Sequence, residues 1–293
     1  MPGGRAVRVR RVGGVARVPA IELAPGVVRI PTIGAAATNS FALVDDDGSV
    51  TLVDCGVKRA PARIVAGLRA VGRHPGDVVR IVLTHAHSDH AGGAAEMAAR
   101  TGSPVAVHER DAPYVEAGRA PDFDPSLLAG RLMTRLPAGG FPPVAVGERL
   151  SDGQVLGVGG GLRVVATPGH TPGHVSLLHE PSATLITGDA LFNVRQLRYS
   201  PRPLCTDFRL NERTAHVLGE LESRSRTAPR SPRGPGTRCA ASWPRSAVDE
   251  RAARDLDVTG VRAGPWEPVA RFGFSGEERG PADGSASRTP GSS

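Results

Sequence analysis

Seven consecutive residues, Thr84-His85-Ala86-His87-Ser88-Asp89-His90, constrain this chain more than any other stretch. They set four metal-competent side chains within six positions, directly after the apolar run 78–83. That β-branched run predicts a strand, and the alanine-rich segment 91–99 predicts the helix after it. His85 and His87, two apart in extended backbone, point the same way and can hold one ion. Asp89 and His90, at the start of the helix, can hold a second. The competing reading satisfies each side chain separately with ordinary hydrogen bonds. It requires histidines to cluster by chance in a chain with nine of them in 293 residues.

His-x-His-x-Asp-His after a Val/Ile-rich strand resembles the motif of the metallo-β-lactamase superfamily. The resemblance implies an α/β fold, a four-layer αβ/βα sandwich, and metal-dependent hydrolysis. Residues 27–30, 40–44 and 49–53 predict short strands ahead of the motif. Asp45-Asp46-Asp47-Gly48 turns the last two, because Asp and Gly tolerate positive φ. Asp54 follows the third strand. The resemblance gives it the role of supporting the metal loop from behind; its local context equally suits a turn aspartate that caps the next segment. Residues 61–71 predict a helix, and 105–107 a further strand with His108 at its end, read as a rim or hydrogen-bonding histidine. Residues 111–147, rich in Pro, Gly and Ala, read as an insertion with a short helix at 126–136.

A strand at 162–166 runs into Thr167-Pro168-Gly169-His170-Thr171-Pro172-Gly173-His174. Two Pro-Gly pairs hold His170 on stiff backbone, which suits a metal ligand. By resemblance to the superfamily's third motif, His170 joins His85 and His87, while His174 is a supporting or structural histidine. Residues 175–179 and 184–187 predict a hairpin. Asp189, just after its second strand, resembles the bridging carboxylate that links two ions. Arg195, Arg198 and Tyr199 then lie on a predicted loop, and 210–221 reads as a helix.

The resemblance also implies one more histidine on a later loop, and no histidine follows His216. From Ser223 the chain becomes a mixture of Arg, Pro, Ala, Gly and Ser. Two readings compete: a disordered basic tail, or a shifted coding frame in GC-rich DNA. The second also accounts for the missing ligand. The expected organisation is a basic disordered segment at 1–20, a catalytic domain at 21–222 and an aberrant or disordered segment at 223–293.

Net charge narrows the partners. The formal +7 resides at the ends: residues 1–20 carry five arginines and no acid, and 223–293 carry twelve arginines against eight acids. The stretch between holds 19 basic and 21 acidic residues, which disfavours a nucleic-acid partner. No run suits a membrane span or a targeting segment. Three scattered cysteines suit a reducing compartment, so the expected location is the cytoplasm.

The expected reaction is hydrolysis of an ester, thioester or lactone in a small-molecule substrate, by a hydroxide held on zinc, with iron or manganese also compatible. His85, His87 and His170 hold the first ion. Asp89, His90 and Asp189 hold the second, and Asp89 becomes the general base if the second position is empty. The plain forms of both histidine motifs look most like the glyoxalase II and lactonase branches. The alternative is a catalytically impaired metal-binding scaffold.

Overall fold

The computed structural model describes residues 20–34, 37–135, 140–194, 196–227 and 238–239. Residues 1–19, Arg195, and the segment beyond 227 apart from 238–239 lie outside them. The expected character of both ends therefore falls largely outside the described residues.

The first sheet opens as an antiparallel meander, β1 (Ile21–Ala24), β2 (Val27–Ile33), β3 (Thr38–Val44) and β4 (Val50–Val53). It continues in parallel through β5 (Val78–Val82), β6 (Val105–His108) and β7 (Val146–Leu150). The connections carry α1 (Pro61–Ala70), α2 (Ala94–Thr101), α3 (Ala112–Ala117) and α4 (Leu128–Arg135). The second sheet is built from β8 (Val155–Leu156), β9 (Leu162–Ala166), β10 (Val175–His179) and β11 (Thr184–Ile186), all antiparallel. A separate hairpin, β12 (Leu191–Val194) and β13 (Gln196–Tyr199), leads to α5 (Phe208–Thr227). The two-residue β14 (Arg238–Cys239) pairs in parallel with β11.

Three apolar layers follow from strand alternation, which sends neighbouring side chains to opposite faces. Ala42, Leu52, Ile81 and Val105 meet Ile64 and Leu68 of α1, Met97 of α2 and Val115 of α3. Phe41, Leu43, Val53, Val82 and Ala106 point the other way, onto Leu162, Val164, Val175, Leu177 and Ile186 of the second sheet. Val165 and Leu185, on that sheet's outer face, pack with Leu218 of α5. The order is helices, sheet, sheet, helix: the four-layer αβ/βα sandwich. Both faces of β4 and of the C-terminal half of β5 are covered, which is why Leu52-Val53 and Ile81-Val82 read as apolar without alternation. Each fully buried Leu or Ile contributes about 1.5–3 kcal/mol.

One edge of this sandwich collects the loops that matter. Asp54 leaves the end of β4, residues 84–90 the end of β5, and residues 109–111 the end of β6. These are the C-terminal ends of parallel strands, where α/β sheets commonly place their ligands. The second sheet contributes the β9–β10 connection and the Gly188–Ala190 turn after β11. Backbone hydrogen bonds tie the set together: Asp54 N donates to Val82 O (2.8 Å), Cys55 N to His90 O (2.7 Å), and Val175 N to Thr84 O (2.9 Å). The last of these joins the two sheets at the motif itself.

The structure departs from the sequence reading in several places. β1, β7 and β8 lie where the sequence predicts no strand, and α2 begins at Ala94, so Asp89 and His90 lie in the turn before it and not at its start. The stretch after Asp189 is a hairpin, not a loop; Leu191–Tyr199 lacks the Asn-Gly or Gly-rich turn that would have marked one. The insertion contains α3 as well as α4. Finally, α5 runs on to Thr227, past the compositional change at Ser223. No helix among the described residues is long and apolar enough to cross a membrane.

Candidate metal centre

Five histidines and Asp189 converge at the loop-bearing edge. Ring centroids of His85 lie 4.8 Å from His87, 4.2 Å from His90 and 4.8 Å from His170. Ligand atoms fall into two groups, His85–His87–His170 and His85–His90–Asp189, with the atoms of each group within 4.8 Å of one another. Asp189 sits between them: Oδ1 is 3.0 Å from His90 Nε2, and Oδ2 is 3.5 Å from His170 Nε2. Asp89 lies at the open side. Its Oδ2 is 3.6 Å from His90 Nε2 and accepts a 3.4 Å hydrogen bond from Thr38 Oγ1.

The surrounding hydrogen bonds decide which nitrogen of each ring faces the cluster. Asp54 Oδ1 accepts from Thr84 N (2.8 Å) and Oδ2 from Thr84 Oγ1 (2.9 Å). Thr84 has one hydroxyl proton, and it is spent on Asp54. Its oxygen therefore accepts from His85 Nδ1, 3.0 Å away, which leaves His85 Nε2 without a proton. Asp54 Oδ2 also accepts from His90 Nδ1 at 2.8 Å, so His90 Nε2 is freed in the same way whenever that ring is neutral. His170 Nδ1 is 2.9 Å from Ser200 Oγ, and its Nε2 is 2.8 Å from His87 Nδ1.

His174 behaves differently. Ser176 Oγ donates to Thr187 O (3.0 Å), Thr167 Oγ1 lies 3.1 Å from Ser176 Oγ, and His174 Nδ1 lies 2.8 Å from Thr167 Oγ1. Followed from the carbonyl, the chain puts the imidazole proton on Nδ1. His174 Nε2 then accepts from the backbone N–H of Asp189 (2.9 Å), so its lone pair is committed to fixing Asp189. Gly188 is required in this arrangement. Its φ is +52°, and a Cβ there would stand 2.7 Å from His174 Nε2.

Fit to a metal can be tested on the rings themselves. His85 Nε2 and His90 Nε2 are buried and have no hydrogen-bond partner. When protonated, His90 Nε2 has Asp189 Oδ1, 3.0 Å away, as its ion-pair partner. Two buried imidazole nitrogens without a hydrogen-bond partner are costly, and a cation that displaces any proton from them answers both. Electrostatics agrees. Burial drives the pKa values of His85 and His170 well below the ordinary imidazole value and that of His87 down to about 4. Burial likewise brings His174 to about 3. Neutral rings are what a metal needs. His90 alone goes up: burial opposes its charge, but Asp189, Asp54 and Asp89 outweigh it. Asp189 is held well below the usual carboxylate range, the His90 ring overcoming its burial.

Asp111 is the residue that sequence reasoning missed. Fully buried, it accepts from Ala86 N (2.8 Å) and Thr171 Oγ1 (2.7 Å) on one oxygen and from Gly173 N (2.7 Å) on the other. It thereby holds the His85–His87 loop and the His170–His174 loop in one register. Asp111→Asn must turn its amide nitrogen toward one of those backbone donors. The expected cost is about 1–3 kcal/mol of stability, read as a lowered urea midpoint with unchanged slope.

The remaining histidines are engaged elsewhere. His74 caps the turn Pro75–Asp77, His108 Nδ1 accepts from Arg110 N (3.2 Å), His179 is bound between Ser182 and Gly159, and His216 lies 3.0 Å from Tyr199 Oη. All nine histidines lie among the described residues, so no further histidine of this chain completes the group around His90. A cavity of about 380 Å³ opens on the cluster, lined at its polar end by His87, Ser88, Asp89, His170 and Asp189.

Comparison with known proteins gives a consistent set. The family model described as metallo-beta-lactamase superfamily matches residues 33–235. The probable metallo-hydrolase YflN of Bacillus subtilis (strain 168) is 31% identical over 182 residues, covering 60% of this chain and 67% of that protein. A hydroxyacylglutathione hydrolase of Acidiphilium cryptum (strain JF-5) is 32% identical over 169 residues, covering 57% of this chain and 54% of the relative. The match thus spans only about half to two-thirds of these curated relatives. Among solved structures, a mutant of a HARLDQ-motif metallo-beta-lactamase from Cronobacter sakazakii superposes with a TM-score of 0.52 at 25% identity, covering 71% of this chain and 75% of that one.

Proposed function

This chain belongs to the metallo-β-lactamase superfamily, and on that premise we propose that it hydrolyses an ester, thioester or lactone bond in a small-molecule substrate. The observation that carries the reading is the convergence of ligand atoms in two groups, His85–His87–His170 and His85–His90–Asp189, with no hydrogen bond to Nε2 of His85 or His90. His85, His87 and His170 would hold one ion. His90, Asp89 and Asp189 would hold a second, with Asp189 shared. A nitrogen-rich set with carboxylates suits zinc best, and iron or manganese is also compatible. Bound there, such an ion supplies Lewis acidity, polarising a carbonyl and lowering the pKa of water toward about 7.

The chain's own residues do the rest. Asp54 and Thr84 keep His85 and His90 in the tautomer that presents Nε2. Ser200 orients His170, and His174 fixes the backbone of Asp189. Asp89, at the cavity wall and half-exposed, is placed to take a proton from an attacking water. The resemblance to a hydroxyacylglutathione hydrolase supports a thioester among the substrates.

One observation favours a second reading. Beyond His85 the His90 group has no further histidine to complete it, and Asp89 stands off from it, which fits a chain that holds one ion firmly and hydrolyses poorly. Elemental analysis of the purified chain, with assays on an aryl ester and a thioester, separates the two. Turnover that a chelator abolishes and zinc restores is the expected result. A folded, metal-loaded protein that turns over neither substrate would leave the scaffold reading standing instead.

A further inference from the structure

The cavity is two-faced. Opposite the histidines and carboxylates, its wall is Ala120, Phe123, Met133, Phe192 and Leu204. These come from three separate parts of the chain: the loop before α4 and α4 itself, the β12 strand, and the turn before α5. Among the described lining residues there is no lysine or arginine. Three of the arginines nearest in sequence are turned to other work, among them Arg131, two residues from Met133, whose Nε donates to Pro125 O. Arg119, beside Ala120, stacks on Tyr114 with its guanidinium carbon 4.8 Å from the ring centroid, and Arg202 stacks on Phe208 at 4.7 Å. Among the described lining residues the formal charges are the carboxylates Asp89 and Asp189. An anionic substrate arm entering the apolar half would lose its water and gain no counter-ion, a heavy penalty. An uncharged arm would bury against five apolar side chains.

We infer that the cavity takes a substrate whose non-reacting arm is uncharged and apolar, an acyl or aryl group of modest length, in preference to an arm ending in a carboxylate or phosphate. This rests on the hydrolase reading for the identity of the reacting end, and on the cavity wall for the arm. The volume of about 380 Å³ lies near the lower end of the ~300–1,000 Å³ usual for small-molecule sites, so the arm is short enough to be enclosed.

The test uses the metal-loaded full chain and two parallel readouts. The first is hydrolysis of p-nitrophenyl acetate, butyrate and hexanoate, with the mono-p-nitrophenyl ester of adipic acid as the six-carbon arm ending in a carboxylate. The second, independent of turnover, is calorimetric binding of acetohydroxamate, hexanohydroxamate and the six-carbon hydroxamate that ends in a carboxylate. The expected result is a rise in kcat/KM of about fourfold per added methylene until the cavity is filled, with the carboxylate-ended ester at least about tenfold below hexanoate. Hydroxamate affinities should follow the same order. Met133→Lys, on the surface helix α4, adds a cation to the wall and should narrow the gap between the neutral and carboxylate-ended arms. A flat chain-length profile, or preference for the carboxylate-ended arm, overturns the inference. If no ester turns over but hexanohydroxamate still binds more tightly than acetohydroxamate, the hydrolase reading fails and the assignment of the arm stands. If hexanohydroxamate binds no better than acetohydroxamate, the assignment fails, whether or not esters are cleaved.

Discussion

Asp189→Ala should lower kcat/KM for any ester this protein hydrolyses by about a thousandfold, with the fold retained and one ion still held at His85, His87 and His170. The carboxylate reaches both groups, through Oδ1 to His90 and Oδ2 to His170. Removing it leaves the first three nitrogens in place but strips His90 Nε2 of the carboxylate nearest to it, Asp89 being 3.6 Å away. Metal ions contribute several kcal/mol to stabilising the charge that develops in such reactions; at about 1.4 kcal/mol per tenfold, losing about 4 kcal/mol gives three orders of magnitude. The fold should survive because the contact that fixes this turn is made by the backbone: Asp189 N donates to His174 Nε2, and alanine keeps that N–H. Asp189→Asn, which preserves shape and loses charge, should fall nearly as far. Activity within tenfold of the parent in either variant would show that Asp189 is not the shared carboxylate.

How much of this centre could be read from the sequence depended on how far apart its parts lie along the chain. His85, His87, Asp89 and His90 announce themselves because one loop carries all four. His170 is visible because two Pro-Gly pairs stiffen its loop, and Asp189 because it ends an apolar strand. The core strands were legible for the same local reason, alternation or continuous apolar runs. Asp111 was not legible. Its partners Ala86, Thr171 and Gly173 lie 25, 60 and 62 positions away, and Glu109-Arg110-Asp111-Ala112-Pro113 reads locally as nothing more than the start of a helix. The apolar wall was hidden likewise, because Phe123, Met133, Phe192 and Leu204 meet only once four layers are assembled. Asp54 falls between these cases. Its position was marked, but its two sequence readings could be separated only by geometry. With φ of +58°, it turns both oxygens inward, onto Thr84 and His90, rather than toward the segment that follows.

That geometry makes Asp54→Asn the most discriminating single change at the centre. Asparagine tolerates the left-handed backbone at this position better than any other residue except glycine, so the chain conformation should hold. The amide, however, can place oxygen on only one side. Thr84 N, a backbone donor 2.8 Å from Oδ1, cannot change its role, so oxygen stays there and the amide nitrogen replaces Oδ2. A donor then faces His90 Nδ1, and the ring can answer only by moving its proton to Nε2. His85 is spared: Thr84 Oγ1 still has Oδ1 to donate to, at 3.1 Å, and continues to accept from His85 Nδ1. The expected outcome is selective. The ion at His85, His87 and His170 is kept, while affinity at His90 falls by up to about 100-fold, the upper part of the range for losing a residue that orients a ligand. Nitrogen-15 chemical shifts of the His90 ring in the metal-free protein, recorded above its raised pKa so that the ring is neutral, should show the proton moving from Nδ1 to Nε2, and titration with zinc should show the weaker step lost first. A His90 tautomer and zinc isotherm unchanged from the parent would mean that Asp54 is only a turn residue, the plainer of the two roles its sequence position allowed.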